Sequence, residues 1–186
     1  GEGDELQVKS PGQMIGFFKN DEKTKEEVTE DGFLKTGDMA EIDGQGYVRI
    51  TGRVKDLFKT AKGKYVVPVP IESTFTHPKV EVVCVAGANH PQPCALVTLS
   101  EDAQEQVKRG ETKDIEEGLA QQLEKVNDKV EDHEEMAFVA VVKEPWTMEN
   151  GMLTPTMKIK RNVIEDRYAD KLPKWYEQKK KVVWEE

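Results

Sequence analysis

From Gly1 to Ile50, apolar and polar residues alternate in short runs, broken every few positions by Gly, Pro, Asn or Asp. LQVKS, MIGFF, FLKTG, MAEID and YVRIT are those runs, and a period of two between turn residues predicts short antiparallel strands. DGQG (Asp43–Gly46) predicts a hairpin turn, because its glycines accept positive φ cheaply. NDEKTKEEV (Asn20–Val28) reads as a charged helical turn with a solvated face. The segment is short for an independent core and reads as the remnant of a larger β-rich subdomain.

The pattern changes near Asp56. LFKTA and KYVV read as strand pieces around a Gly turn, and VPIESTFTH (Val69–His77) as a short helix with Pro70 in its first turn. EVVCVAGA (Glu81–Ala88) and CALVTLS (Cys94–Ser100) are β-branched runs that predict paired, buried strands. Thr112–Glu135 carries the clearest helical stripe, formed by Ile115, Leu119, Leu123, Val126 and Val130. MAFVAVV (Met136–Val142) predicts another buried strand. Asn162–Leu172 predicts a helix stopped by Pro173, with a KKK tail after it. The expected fold class is α+β: a short β-rich amino-terminal remnant, then a small α+β layer domain with a short sheet flanked by helices.

A length of 186 residues allows one ordinary domain or two small ones. With 37% hydrophobic and 34% charged residues and a net charge of −9, the chain reads as a soluble acidic protein. That balance disfavours nucleic acid, which needs an excess of Lys and Arg on one face. No apolar run approaches the roughly 20 residues of a membrane-spanning helix, and no secretory leader is visible. The opening GEGDELQVKSPG reads as the middle of a longer protein. Cys84 and Cys94 read as reduced, buried, small apolar residues on strands, which points to a reducing, cytoplasmic compartment. Their spacing alone leaves a disulfide open. His77, His90 and His133 have no metal-ligand spacing and read as structural or exposed. Trp146 reads as a loop anchor, and Glu131–Glu135 as a solvated helix end.

Three features carry candidate chemistry. Thr36–Asp38 places one carboxylate at a strand rim, where it suits the vicinal hydroxyls of a ribose; a solvated turn with Asp38 bonded to its own backbone is the alternative. GRVKD (Gly52–Asp56) follows one hairpin later, then KTAKGKYVVPVPIE (Lys59–Glu72). The Arg53 guanidinium offers planar paired donors for a ribose or phosphate oxygen. Gly63 between Lys62 and Lys64 permits a tight turn and close approach of backbone to a ligand; a basic hairpin tip is the alternative. LTPTMKIKR (Leu153–Arg161) presents Lys158 after a Pro-Thr turn, either as a mobile cation or as a basic stretch opening a helix.

In their order, these segments resemble the signature motifs of the adenylate-forming superfamily, which includes acyl-CoA synthetases, luciferases and peptide-synthetase adenylation domains. The resemblance implies that Asp38 holds the AMP ribose hydroxyls and Arg53 contacts the ribose or phosphate side. It places the hinge at Lys55, a coenzyme A-facing turn at Lys62, Gly63 and Lys64, and the catalytic lysine at Lys158. The family's usual Gly before that lysine is Met157 here. The Thr-Pro-Thr form without Gly is similar to long-chain fatty acyl-CoA synthetases, the bubblegum type included.

The resemblance further implies a division into residues 1–53, the end of a large adenylate-forming domain, and 54–186, a mobile carboxy-terminal lid. The substrates it implies are a fatty acid, ATP and coenzyme A. The glycine-rich ATP-phosphate loop, the acyl pocket and the acidic ligand for Mg²⁺ are expected in a large domain outside this sequence, so the chain alone is expected to be inactive. Carrier-protein loading and a non-catalytic binding module of the same fold are the competing readings. Peripheral attachment to a membrane through Lys179–Lys181 and self-association through exposed strand edges are further expectations.

Overall fold

A computed structural model describes residues 5–186. They form two compact units, one ending at Asp56 and one running from Leu57 to Glu186.

In the first unit, β1 (Glu5–Val8), β2 (Leu34–Ile42) and β3 (Val48–Arg53) make an antiparallel sheet in the order β1-β2-β3. Helix α1 (Asp21–Glu27) lies between β1 and β2, and the Asn20 side chain caps it by accepting from the Lys23 amide at 3.0 Å. FLKTG and MAEID, expected as two strands, are one. Gly37 takes a φ of +71°, and a register shift between Met39 and Ala40 bends the ribbon without breaking it. MIGFF, expected as a strand, is a run of turns; the Phe17 amide donates to Thr24 Oγ1 on α1 and not to a neighbouring strand. The Asp43–Gly46 turn forms as expected, and Asp43 Oδ1 accepts from the amides of Gln45 and Tyr47. Among described residues 5–56, only Gly52 is buried. This unit has almost no core of its own.

The second unit is built on a four-stranded sheet in the order β6 (Val80–Ala86), β7 (Cys94–Leu99), β8 (Val139–Val141), β9 (Val182–Trp184). β6 and β7 are antiparallel; β7–β8 and β8–β9 are parallel. Period-two alternation divides the core. Val85, Ala95, Val97, Leu99, Val139 and Val141 face one layer with α4 (Lys113–Asn127), while Cys84, Ala86, Cys94, Leu96, Ala140 and Val183 face the other with α5 (Arg161–Tyr168) and α6 (Leu172–Glu177). Covering both faces explains why every residue of β7 is buried. The α4 stripe Ile115, Leu119, Leu123 and Val126 is buried as its spacing predicts. The first layer also takes Ala103 from α3 (Glu101–Lys108) and Ile71 from α2 (Pro68–Thr74).

Three expectations need correction here. Helix α4 ends at Asn127 and does not continue to Glu135, because the Asn127 side chain turns onto Met136, donating to its carbonyl and accepting from its amide, each at 2.9 Å. Glu131–Glu135 is therefore a turn segment, not a helix end. Pro173 does more than stop a helix, since it stands in the first turn of α6, where a missing amide costs nothing. Beyond the KKK run the chain is not a loose tail: it forms β9, and Lys181 pairs with Glu124. Both cysteines are unbridged and buried on strands. Trp146 is buried and donates from Nε1 to the Tyr168 hydroxyl at 3.3 Å.

Candidate functional site

Within the first unit, the β2–β3 register sets Asp38 opposite Arg53. Arg53 Nε lies 2.9 Å from Asp38 Oδ1, with the two side chains 58% and 26% exposed. The Asp38 amide donates to Thr36 Oγ1 at 3.1 Å, so Thr36 satisfies the local backbone and leaves the carboxylate to Arg53. An ion pair this exposed is worth only about 0–1 kcal/mol. Both groups are therefore available for exchange onto a ligand that offers hydroxyls to one and oxyanions to the other. Lys55 follows in a 3₁₀ turn (Val54–Asp56) and is exposed.

In the second unit, β4 (Phe58–Lys59) and β5 (Tyr65–Val66) form a small hairpin. Its tip is closed by Thr60: the Thr60 amide donates to the Lys64 carbonyl, its carbonyl accepts from the Gly63 amide, and its Oγ1 accepts from the Lys64 amide. Gly63 has a φ of +75°, and no atom lies within 4 Å of a Cβ built there. The glycine is thus required by conformation and not by crowding. Lys62 and Lys64 flank it, exposed. The hairpin is braced from outside by the Gly87–His90 segment, for the Asn89 amide donates to the Lys59 carbonyl and the Ala61 amide to the His90 carbonyl, both at 2.8 Å. His90 in turn stacks on Tyr176, with ring centroids 4.5 Å apart.

Lys158 stands on a second tight loop. The Thr154 amide donates to the Lys158 carbonyl at 2.8 Å, the Lys158 amide to Thr154 Oγ1 at 3.1 Å, and the Met157 amide to the Thr154 carbonyl at 2.9 Å. Leu153 and Ile159 bridge across its base. Met157 adopts a φ of +59°, the left-handed conformation that a glycine before the lysine would take without strain. Lys158 is exposed at the end of this loop, whose base is closed by buried Met152 and Leu153.

Asp38, expected at a strand rim, instead sits mid-strand in β2, because the ribbon continues past Gly37. Arg53 ends β3, and the other sequence-predicted groups sit on defined turns. Asp38 joins Arg53 in one unit; the Lys62–Lys64 turn and Lys158 belong to the other. Sequence reasoning passed over the hydroxyls of Thr60 and Thr154, which close the two loops. It also passed over a pair at the ends of the two motif runs. Arg161 meets Glu72 through two bonds, Nη1 to Oε1 at 2.8 Å and Nη2 to Oε2 at 3.0 Å. The only signal in the sequence was that both residues close a motif-bearing segment.

Residues 55–180 match the model of the AMP-binding enzyme C-terminal domain. The chain belongs to that family. The long-chain-fatty-acid–CoA ligase FadD15 of Mycobacterium tuberculosis is 29% identical over 94% of this chain and 32% of its own length. The chloroplastic long-chain-fatty-acid–[acyl-carrier-protein] ligase AEE15 of Arabidopsis thaliana is 28% identical over 92% of this chain and 25% of its own. Among solved structures, the A domain of carboxylic acid reductase from Segniliparus rugosus, in complex with AMP and a co-purified carboxylic acid, superposes with a TM-score of 0.79. It is 27% identical, covering 94% of this chain and 28% of that one. The chain spans about a third or less of the length of these relatives. Its small α+β architecture is that of the carboxy-terminal domain of adenylate-forming enzymes, carried here with an additional β-rich segment before it.

Proposed function

We propose that this chain is the carboxy-terminal part of an ATP-dependent long-chain acyl-CoA ligase. The observation that carries the reading is Lys158, exposed on a loop fixed at both strands of its base, in a domain of the AMP-binding enzyme family. In the first half-reaction a carboxylate attacks the α-phosphate of ATP, giving acyl-AMP and pyrophosphate. In the second, the thiol of coenzyme A displaces AMP to form the thioester.

The chain's own groups would divide the work. The Lys158 ammonium offsets negative charge on the carboxylate and α-phosphate as they approach, an electrostatic stabilisation of the transition state. The Asp38 carboxylate accepts from the ribose hydroxyls, and Arg53 turns from Asp38 to the ribose or phosphate side. A dihedral change near Lys55 moves the lid between half-reactions. The Lys62–Gly63–Lys64 turn then lines the path of the coenzyme A arm, its glycine letting backbone approach the arm closely. Among the described residues no group of three His, Cys, Asp or Glu side chains is placed to hold a metal ion. On this reading the Mg²⁺ that accompanies ATP takes most of its protein ligands from the large domain outside this chain, which also supplies the glycine-rich phosphate loop and the acyl pocket.

Lys158→Ala in the longer protein tests the assignment. Adenylation is expected to fall at least about 100-fold, the scale set by loss of one oxyanion-stabilising group, with thioester formation from supplied acyl-AMP within about threefold of wild type. Equal loss in both half-reactions would remove the role. A second reading is that the acceptor is a carrier-protein pantetheine, favoured by the likeness to the acyl-carrier-protein ligase. Turnover with free coenzyme A against a carrier protein separates the two.

A further inference from the structure

Glu72 lies on α2, eight residues after Lys64, and Arg161 opens α5, three residues after Lys158. Their side chains are only 14% and 10% exposed. Both also bind the backbone of the same β6 residue, Val85. The Val85 amide donates to Glu72 Oε1 at 2.7 Å, and Arg161 Nη1 donates to the Val85 carbonyl at 2.7 Å and to Cys84 Sγ at 3.3 Å. β6 is an edge of the four-stranded sheet, with β7 on one side only. An edge strand presents unpaired amides and carbonyls. Here one donor and one acceptor of that edge are taken by an ion pair, in place of a fifth strand. The two partners come from segments 89 residues apart.

A forked guanidinium–carboxylate pair fixes distance and plane together, which a single hydrogen bond does not. The stretch from Leu153 to Arg161 is thereby anchored at both ends: Leu153 is buried in the core, the Lys160 amide donates to the Met152 carbonyl, and Arg161 is clamped to β6. Lys158 stands between these anchors. A long ammonium-bearing chain swings over several ångströms unless its Cα is held, and a misplacement of about 1 Å in a reacting constellation costs on the order of 100-fold in rate.

We propose that Arg161, clamped by Glu72 and the Val85 edge, is the positioning residue that sets the place of Lys158 for adenylation. The inference rests on the reading of Lys158 as the adenylation lysine. Arg161 supplies the second anchor of the Lys158 loop, and Glu72 holds Arg161 in plane while joining the same anchor to α2, the helix that follows the Lys62–Lys64 turn. The pair therefore sets two loops that serve successive half-reactions on one strand edge.

Arg161→Lys and Glu72→Gln are the variants to compare, since each keeps the size and polarity of its site while removing the fork. The first readout needs no activity. In the 186-residue chain, amide exchange at Lys158 and Lys160 is expected to accelerate at least about tenfold, on the scale of local opening, while exchange in β7 and β8 stays as in wild type. The second is made in the longer protein: kcat for adenylation is expected to fall about 10- to 100-fold with KM for ATP within twofold, and thioester formation from supplied acyl-AMP to hold within threefold. Unchanged exchange at Lys158 and Lys160 in a folded variant overturns the inference. So does an equal fall in both half-reactions, which marks a structural brace only. Lys158→Ala, run alongside, separates the two readings. If that variant is inactive in adenylation and Arg161→Lys is normal, the positioning role fails and the function stands. If Lys158→Ala adenylates normally, the function assigned to Lys158 fails, and exchange alone decides whether Arg161 sets the loop.

Discussion

Met157 occupies a left-handed backbone conformation, φ +59°, and the residue is 64% exposed. For an L-residue that conformation costs roughly 1–2 kcal/mol. Little packing repays it, because the side chain lies mostly in solvent. Replacing it by glycine removes the strain but adds roughly 0.4–1 kcal/mol of unfolded-state entropy. Met157→Gly is thus expected to raise stability by up to about 1 kcal/mol, read as a higher urea midpoint at unchanged slope. A lower midpoint would mean that the methionine makes a stabilising contact at the loop. The residue before Lys158 was identifiable as a departure from the family pattern, but its backbone strain was not, since one-letter sequence carries no φ.

At the scale of elements, Gly118 on α4 is informative. Alanine is preferred over glycine in a helix interior by about 1 kcal/mol. A Cβ at Gly118, however, would lie 2.7 Å from His77 Nε2. The His77 ring is not free to yield at no cost, because Nδ1 accepts from the Lys79 amide at 3.2 Å. Gly118→Ala is expected to be neutral or destabilising in the native background and stabilising by about 1 kcal/mol when His77 is also alanine. The measurement is a double-mutant cycle by urea denaturation; additive effects would contradict it. The same elements show what the pattern of residues could and could not reveal. The α4 stripe and the β6–β7 pair were legible, because long periodic runs leave few alternatives. The end of α4 was not, because Asn127 finds its partner Met136 through tertiary contact. β9 was hidden by the three lysines that precede it and by its length of three residues, which sheet pairing with β8 overrides. Of the candidate site, the Gly63 turn followed from local chemistry, while the Glu72–Arg161 clamp depended on two segments far apart in sequence.

The whole chain carries a net charge of −9, and two of its half-buried histidines, His77 and His90, set a pH response on top of that. Loss of water lowers the pKa of His90 below its ordinary value of 6.5. The same cause, followed by Lys79 and then Lys125, lowers that of His77. A base whose folded pKa is depressed is protonated more readily in the unfolded chain, so protons favour unfolding. The contribution of these histidines is full above about pH 6.5 and is lost as pH falls through their lowered folded values. The urea midpoint is expected to decline between about pH 7 and pH 5, and His77→Gln with His90→Gln should flatten that decline. An unaltered slope in the double variant would assign the response to the carboxylates instead.

Cys84 and Cys94 lie on the same face of the β6–β7 pair, under α5 and α6. Burial raises the Cys84 thiol well above its usual range and pushes Cys94 up to about 12. Since the thiolate and not the thiol is the reactive form, neither sulfur is open to peroxide, disulfide exchange or electrophiles while the layer above it is closed. Oxidative damage to these positions is therefore gated by opening of the fold and not by the strength of the oxidant.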